Sequence, residues 1–192
     1  MDSLLPTSSD AGRRPPAPGR LEVLRTFLNT VDIESGDEDF SSPRTLADWL
    51  IERGLLARGT SLIGPELSSA ITFRETVREV LEANEGQGTQ AGPVARLDEI
   101  ASRVLLRIRI GAAPRLEPEG ATGVDAAIGR LLAIIYDSVT EGTWERLKVC
   151  RNDACRWAFY DSSRNHSGAW CSMAICGNRN KGRVFRQHRS AG

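Results

Sequence analysis

All four cysteines of this 192-residue chain fall in its last 43 residues, at Cys150, Cys155, Cys171 and Cys176. The pattern is C-x4-C, fifteen residues, C-x4-C. Two close pairs separated by a stretch long enough to fold back suit a tetrahedral four-thiolate site, in which each pair forms a knuckle presenting two sulfurs at about 2.3 Å from the metal. Two disulfides would require an oxidising compartment. Thiol redox centres favour C-x-x-C, a spacing absent here. The reading is therefore one zinc ion. With all four positions filled by protein, no site stays open for water, so the metal is structural: it folds a segment too small to bury a core of its own. His166 and His188 lie nearby in sequence and are not counted as ligands. A set of three cysteines and one histidine is the remaining alternative.

Something must bring the two knuckles together. Trp157, Phe159 and Tyr160 read as one β-arm, Asp161 to Gly168 as a turn and Ala169–Trp170 as the returning arm, a hairpin between the knuckles. The aromatics are assigned to packing around the metal rather than to base stacking, because a module of about 40 residues has few other large apolar groups. Beyond Cys176 a helix is predicted over 178–189. At about 100° per residue it gathers Arg179, Arg183 and Arg186 on one face with Arg189 at its edge, and turns Val184, Phe185 and His188 away. Lys181 lies on the same helix; Lys148, Arg151, Arg156 and Arg164 add charge from the hairpin side. Guanidinium forks pair bidentately with phosphate and read guanine edges. The candidate DNA-contacting residues are Arg151, Arg156, Arg164, Arg179, Lys181, Arg183, Arg186 and Arg189.

The zero net charge hides a division. Residues 1–147 hold 16 Lys+Arg against 23 Asp+Glu, and residues 148–192 hold 9 against 2. One end suits a polyanion, or the two halves attract each other. No run nears the roughly 18 apolar residues of a membrane span, and residues 1–18 lack the apolar core of a secretion signal. A cytoplasmic protein with no membrane partner is predicted.

The elements upstream are mainly helical. Residues 1–18, rich in Pro, Ser and Gly, read as a disordered tail. Leu21, Leu24, Leu28 and Val31 mark a helix from about 19 to 30. An acidic loop at 36–39 follows. Ser42 is a predicted N-cap with Pro43 at the first helical position, Gly54 the C-terminal stop, and the helix between spans 43–53. A third helix starts near Pro65 and stops at the Gly/Gln-rich 84–92; a fourth is assigned to 92–103. Leu106, Ile108 and Ile110 alternate with arginines as in a half-buried strand, with a return strand around Leu116. A strong helix runs from Val124 to Val139, closed by Gly142.

The fold class is thus α+β: a mainly helical N-terminal domain (19–147) with a short β-hairpin, then a small four-cysteine zinc finger (148–192) made of a β-hairpin plus a C-terminal helix. Asn29, Thr30, Asp32 and Trp49 are candidate ligand-binding residues; alternatively, Asn29 and Asp32 satisfy backbone groups at a helix end and Trp49 is core. No nucleophile–base pair, phosphate loop or carboxylate cluster with metal spacing is found, so an enzyme is not expected.

The stretch Cys150-x4-Cys155, Trp157-Ala158-Phe159-Tyr160-Asp161-x-Ser163-Arg164-Asn165 and Trp170-Cys171-Ser172-Met173-x-x-Cys176-Gly177-Asn178-Arg179-x-Lys181 resembles the CGNR zinc finger. Phe27-Leu28-Asn29-Thr30-Val31-Asp32 and Leu46-Ala47-Asp48-Trp49-Leu50 resemble the opening motifs of the ABATE domain that precedes that finger in its family. Such proteins are regarded as stress-induced bacterial transcription regulators. The resemblance implies a zinc-dependent DNA-binding finger and an N-terminal domain that senses a small molecule. Two departures stand out. Gly168 and Ala169 replace the two basic residues that relatives often carry before the Trp-Cys step, and Gly182 interrupts the last helix at a cost of up to about 1 kcal/mol. Both point to modest DNA affinity. Two other readings stay open: an adaptor whose finger docks on an acidic partner or on its own acidic domain, and a single-stranded RNA binder using the hairpin aromatics.

Overall fold

The computed structural model describes residues 14–82 and 91–182. Among the described residues five α-helices carry the N-terminal part: α1 (Leu21–Leu28), α2 (Pro43–Glu52), α3 (Gly64–Glu82), α4 (Ala91–Ala101) and α5 (Gly123–Thr140). Three antiparallel pairs of short strands join them: β1 (Val31–Asp32) with β2 (Asp37–Glu38), β3 (Leu106–Arg109) with β4 (Arg115–Pro118), and β5 (Leu147–Val149) with β6 (Ala158–Tyr160). The fold is α+β and mainly helical, with short hairpins and a C-terminal four-cysteine cluster.

Local chemistry explains the helix ends. The Ser42 hydroxyl accepts from Thr45 N at 3.2 Å, and Thr45 Oγ1 accepts from Ser42 N at 3.1 Å. This reciprocal cap, with Pro43 behind it, starts α2 where expected. The apolar stripes of α1, α3 and α5 bury Leu24, Leu28, Phe73, Val77, Leu81 and Leu131 in one core. Phe27, Phe40 and Trp49 meet ring to ring at centroid distances of 5.7 Å and seal its α2 side.

Three expectations are corrected. Residues 14–18, placed in the tail by composition, are held: Arg14 N donates to Cys171 O at 3.3 Å, Ala17 N to Glu22 Oε2 at 2.7 Å, and Ala17 is buried. Residues 1–13 lie outside the description. Strand β3 is not half-buried. Ile108 is 61% and Ile110 83% exposed, because the hairpin reaches the core only through its root, where Pro118 and Val104 press on Gly129 of α5; a Cβ at Gly129 would sit 2.7 Å from Val104. Finally, β6 pairs with β5, not with Ala169–Trp170. The first knuckle is itself the turn of that hairpin: Cys150 N donates to Trp157 O at 3.0 Å, just beyond the Val149–Ala158 pair. Leu147, Val149 and Ala158 belong to the helical core, so the hairpin folds on the helices as well as around the metal site.

Candidate metal centre

The hairpin turn brings Cys150 and Cys155 together. Trp157, Phe159 on β6 and the half-buried Trp170 pack around them. The second knuckle is a single π-type turn, Met173–Gly177, started by Ser172, whose hydroxyl accepts from Ile175 N at 3.3 Å. It closes Cys171 onto Cys176, and the chain continues as helix over 178–182, Gly182 being the last residue described there.

All four sulfurs lie within 4.8 Å of one another and all four cysteines are buried. The Cys155–Cys171 and Cys171–Cys176 sulfur separations are 3.7 and 3.8 Å. A tetrahedron with metal–sulfur bonds of 2.3 Å has edges of about 3.8 Å, so the cage fits zinc. Its electrostatics point the same way. Hydrogen bonds from Cys155 and Cys171 pull the Cys150 thiol down to about 4, while the Cys155 and Cys171 thiols, facing that sulfur, are pushed up. Keeping all four as thiolates takes a cation among them, and a divalent zinc supplies that charge.

The family model of the CGNR zinc finger matches residues 146–189. The ABATE model, described as "Putative stress-induced transcription regulator", matches residues 21–141. The chain belongs to the ABATE family and ends in a CGNR zinc finger. No curated protein matches it. The CGNR finger holds one structural zinc, and Cys150, Cys155, Cys171 and Cys176 are the residues placed for it.

Around the cage runs a network that sequence reasoning did not foresee. Asp161, fully buried, accepts from Lys148 Nζ at 2.9 Å, Gly168 N at 2.7 Å, Ser163 N at 3.1 Å and Arg14 Nη1 at 3.4 Å. Burial pushes its carboxyl up, but the bonds from Lys148, Ser163 and Gly168 outweigh this and hold it well below the usual carboxylate range. Lys148 also donates to His166 O and Gly168 O, so one ion pair lashes loop 161–168 to β5. Gly168 is what allows it: a Cβ there would lie 2.7 Å from Asp161 and 2.9 Å from Arg14. The one advance signal was an Asp two residues before a Ser at a strand end, a turn-former's position.

The predicted cationic residues separate into groups. Lys148 is buried against Asp161. Arg156 is turned to the helices, its Nε 2.6 Å from Glu82 Oε1. Arg179 lies 2.5 Å from Glu34 Oε1, across 145 residues of sequence. Arg151, Arg164 and Lys181 are exposed. Arg183, Arg186, Arg189, Val184, Phe185 and His188 lie outside the described residues. His166 stands apart from the four-sulfur cluster, its ring against the Arg146 guanidinium.

The four candidate ligand residues line neither the cleft at Pro18–Leu21 and Ile134–Glu141 nor the one between α3, α4 and α5. The Asn29 amide donates to Ala158 O and accepts from Ala158 N, both at 2.8 Å, and so docks β6. Thr30, buried, donates to Phe27 O and accepts from Arg74. Asp32 accepts from Glu34 N and Ser35 N in its own turn. Trp49 packs on Phe27 and Phe40 under the Arg53 guanidinium. Helix-end polar groups and an aromatic core account for them.

Helix α3 joins the two family regions. Arg74, Arg78 and Glu82, spaced at i, i+4 and i+8, share one face. Arg74 grips Glu38 bidentately at 2.8 and 2.7 Å. Arg78, fully buried, donates to Leu28 O at 2.5 Å and Arg156 O at 2.6 Å. Glu82 takes Arg156.

Proposed function

We propose that this protein is a one-component DNA-binding transcription regulator, its finger held by thiolates of Cys150, Cys155, Cys171 and Cys176, and its helical domain open to a small-molecule effector. The observation that carries the reading is the zinc-sized cage from which a helix starts with Arg179 and Lys181 exposed at its first turn. With exposed Arg151 and Arg164, these are the cations the described finger offers to phosphate. The reading assigns no catalytic residue, in keeping with a regulator family.

The effector site fits a cleft of about 240 Å³ between α3, α4 and α5, with Ser69, Thr72, Thr76, Ile100 and Ile128 in its wall. Residues 69, 72 and 76 lie on the side of α3 opposite Arg74, Arg78 and Glu82. Occupying the cleft would press on the helix that grips the finger. No helix among the described residues is long and apolar enough to cross a membrane.

The test is a titration of zinc-loaded protein with a labelled duplex across a salt series. Log affinity should fall linearly with log salt, and Arg179→Ala should flatten the slope by about one phosphate contact. No salt-sensitive binding to any duplex at low salt overturns the reading. Single-stranded RNA binding through the hairpin is disfavoured, since Trp157 is 6% and Phe159 1% exposed and neither ring is open to a base.

A further inference from the structure

We propose that the acidic β1–β2 turn is an intramolecular competitor of DNA, its Glu34 carboxylate taking on Arg179 the place of a backbone phosphate. This inference rests on the DNA-binding reading and adds its regulation. A carboxylate presents a guanidinium with the same paired oxygen acceptors as a phosphate, so a finger arginine built for one accepts the other. Glu34 and Arg179 are both about half exposed, at 47% and 53%, so the pair lies where solvent, and a duplex, can reach it.

The pair is not a chance meeting of two long side chains on loose loops. The turn is built. Asp32 Oδ1 accepts from Glu34 N at 2.9 Å and Ser35 N at 3.2 Å, Gly36 N donates to Asp32 O at 2.8 Å, and the Ser35 hydroxyl donates to Asp37 at 2.7 Å. Its base is anchored by Asp39 N on Thr30 O and by the Glu38–Arg74 fork. The residue before Thr30 is Asn29, doubly bonded to strand β6 of the finger. One stretch of chain therefore docks on the finger at one point and presents Glu34 to it at another. That stretch, residues 29–40, carries five carboxylates and no lysine or arginine. Phosphates approaching Arg179 must displace Glu34 from a turn that also carries the Asp37 carboxylate. A duplex carries one charge per roughly 1.7 Å, far denser than the turn. The turn is thus a competitor that weakens binding and demands a close match, not a lock. Any shift of α3 that loosens Arg74 from Glu38 frees the turn and raises DNA affinity.

The experiment uses the full zinc-loaded chain and a fluorescent 30-bp duplex of mixed sequence, titrated from low to moderate salt. Glu34→Gln and the double variant Glu34→Gln/Asp37→Asn are compared with Glu119→Gln, which makes the same charge change just beyond β4. Zinc content and melting temperature verify the fold. The expected result is about five-fold tighter binding for Glu34→Gln at low salt, more for the double variant, and less than two-fold for Glu119→Gln. Binding by the Glu34 variants where the unaltered chain shows none supports the proposal equally. Unchanged affinity for the Glu34 variants overturns it and leaves the DNA-binding reading standing, as does an equal gain in Glu119→Gln. If no protein binds at low salt with zinc in place, the DNA-binding reading falls, and this proposal with it.

Discussion

At the scale of single residues, the buried Lys148–Asp161 pair is the most exacting feature of the finger. Its side chains are 9% and 0% exposed, so water screens little of the interaction. Losing one partner of such a pair leaves a buried charge uncompensated, which typically costs 3–5 kcal/mol. Asp161→Asn keeps the shape and some hydrogen bonds, and should destabilise the protein by about 3 kcal/mol at neutral pH, read as a shift in denaturant midpoint. The pH dependence has a definite sign. The folded carboxyl is held below its unfolded value, so its contribution is complete above about pH 4 and is lost as pH falls through the folded value. The gap between Asp161→Asn and the unaltered protein should therefore close in strong acid. A constant gap would show that the carboxylate charge is not what matters. None of this was legible in the sequence: Asp161 read as a turn residue and Lys148 as free surface charge. A partner across a hairpin and a loop leaves no local pattern.

Elements were legible to the extent that their causes are local. The Ser42 cap, the Pro43 start and the apolar stripes of α3 and α5 were readable because capping and periodicity involve neighbours in sequence. The pairing of β5 with β6 was not. Leu147–Val149 is only three residues long and precedes the first cysteine, so nothing marked it as an arm of the hairpin. How α1 ends was equally hidden. Leu28 is the last residue of α1, and its carbonyl has no partner inside the helix. Arg78 supplies one, and its positive charge sits favourably at the negative end of the helix. Among the described residues it is the largest fully buried side chain. Burial pulls it below the usual arginine value while Glu75 counters. Arg78→Met would leave the carbonyls of Leu28 and Arg156 without their donor, at roughly 1–3 kcal/mol each. It should lower stability by about 3 kcal/mol and split one thermal transition into two, the finger melting first. A single transition merely shifted downward would mean that α3 does not couple the regions.

For the whole molecule, the charge division seen in the sequence becomes contact: Arg156 meets Glu82 and Arg179 meets Glu34, while Asn29 and Arg78 join the same surfaces through backbone groups. The four-cysteine pattern was legible because metal geometry dictates the spacing of its ligands. The sharing of one core between finger and helices was not, since it rests on three small buried residues, Leu147, Val149 and Ala158. That sharing predicts how the protein responds to loss of metal. A free-standing finger unfolds entirely when stripped of zinc. Here β5 and β6 remain packed against α1 and α3 by their apolar side chains and by the Asn29 amide, with no sulfur involved. The second knuckle has no such support: Cys171–Cys176 is tied to the rest mainly through the cage, Asn152 and Arg14. Chelation should therefore abolish amide-exchange protection over 169–177 and leave it largely intact at 147–149 and 158–161, with the circular-dichroism helix signal almost unchanged. Uniform loss across 147–177 would mean that the metal, not the helical core, folds the hairpin. Complete retention would mean that the cage is no more than a site the fold has already made.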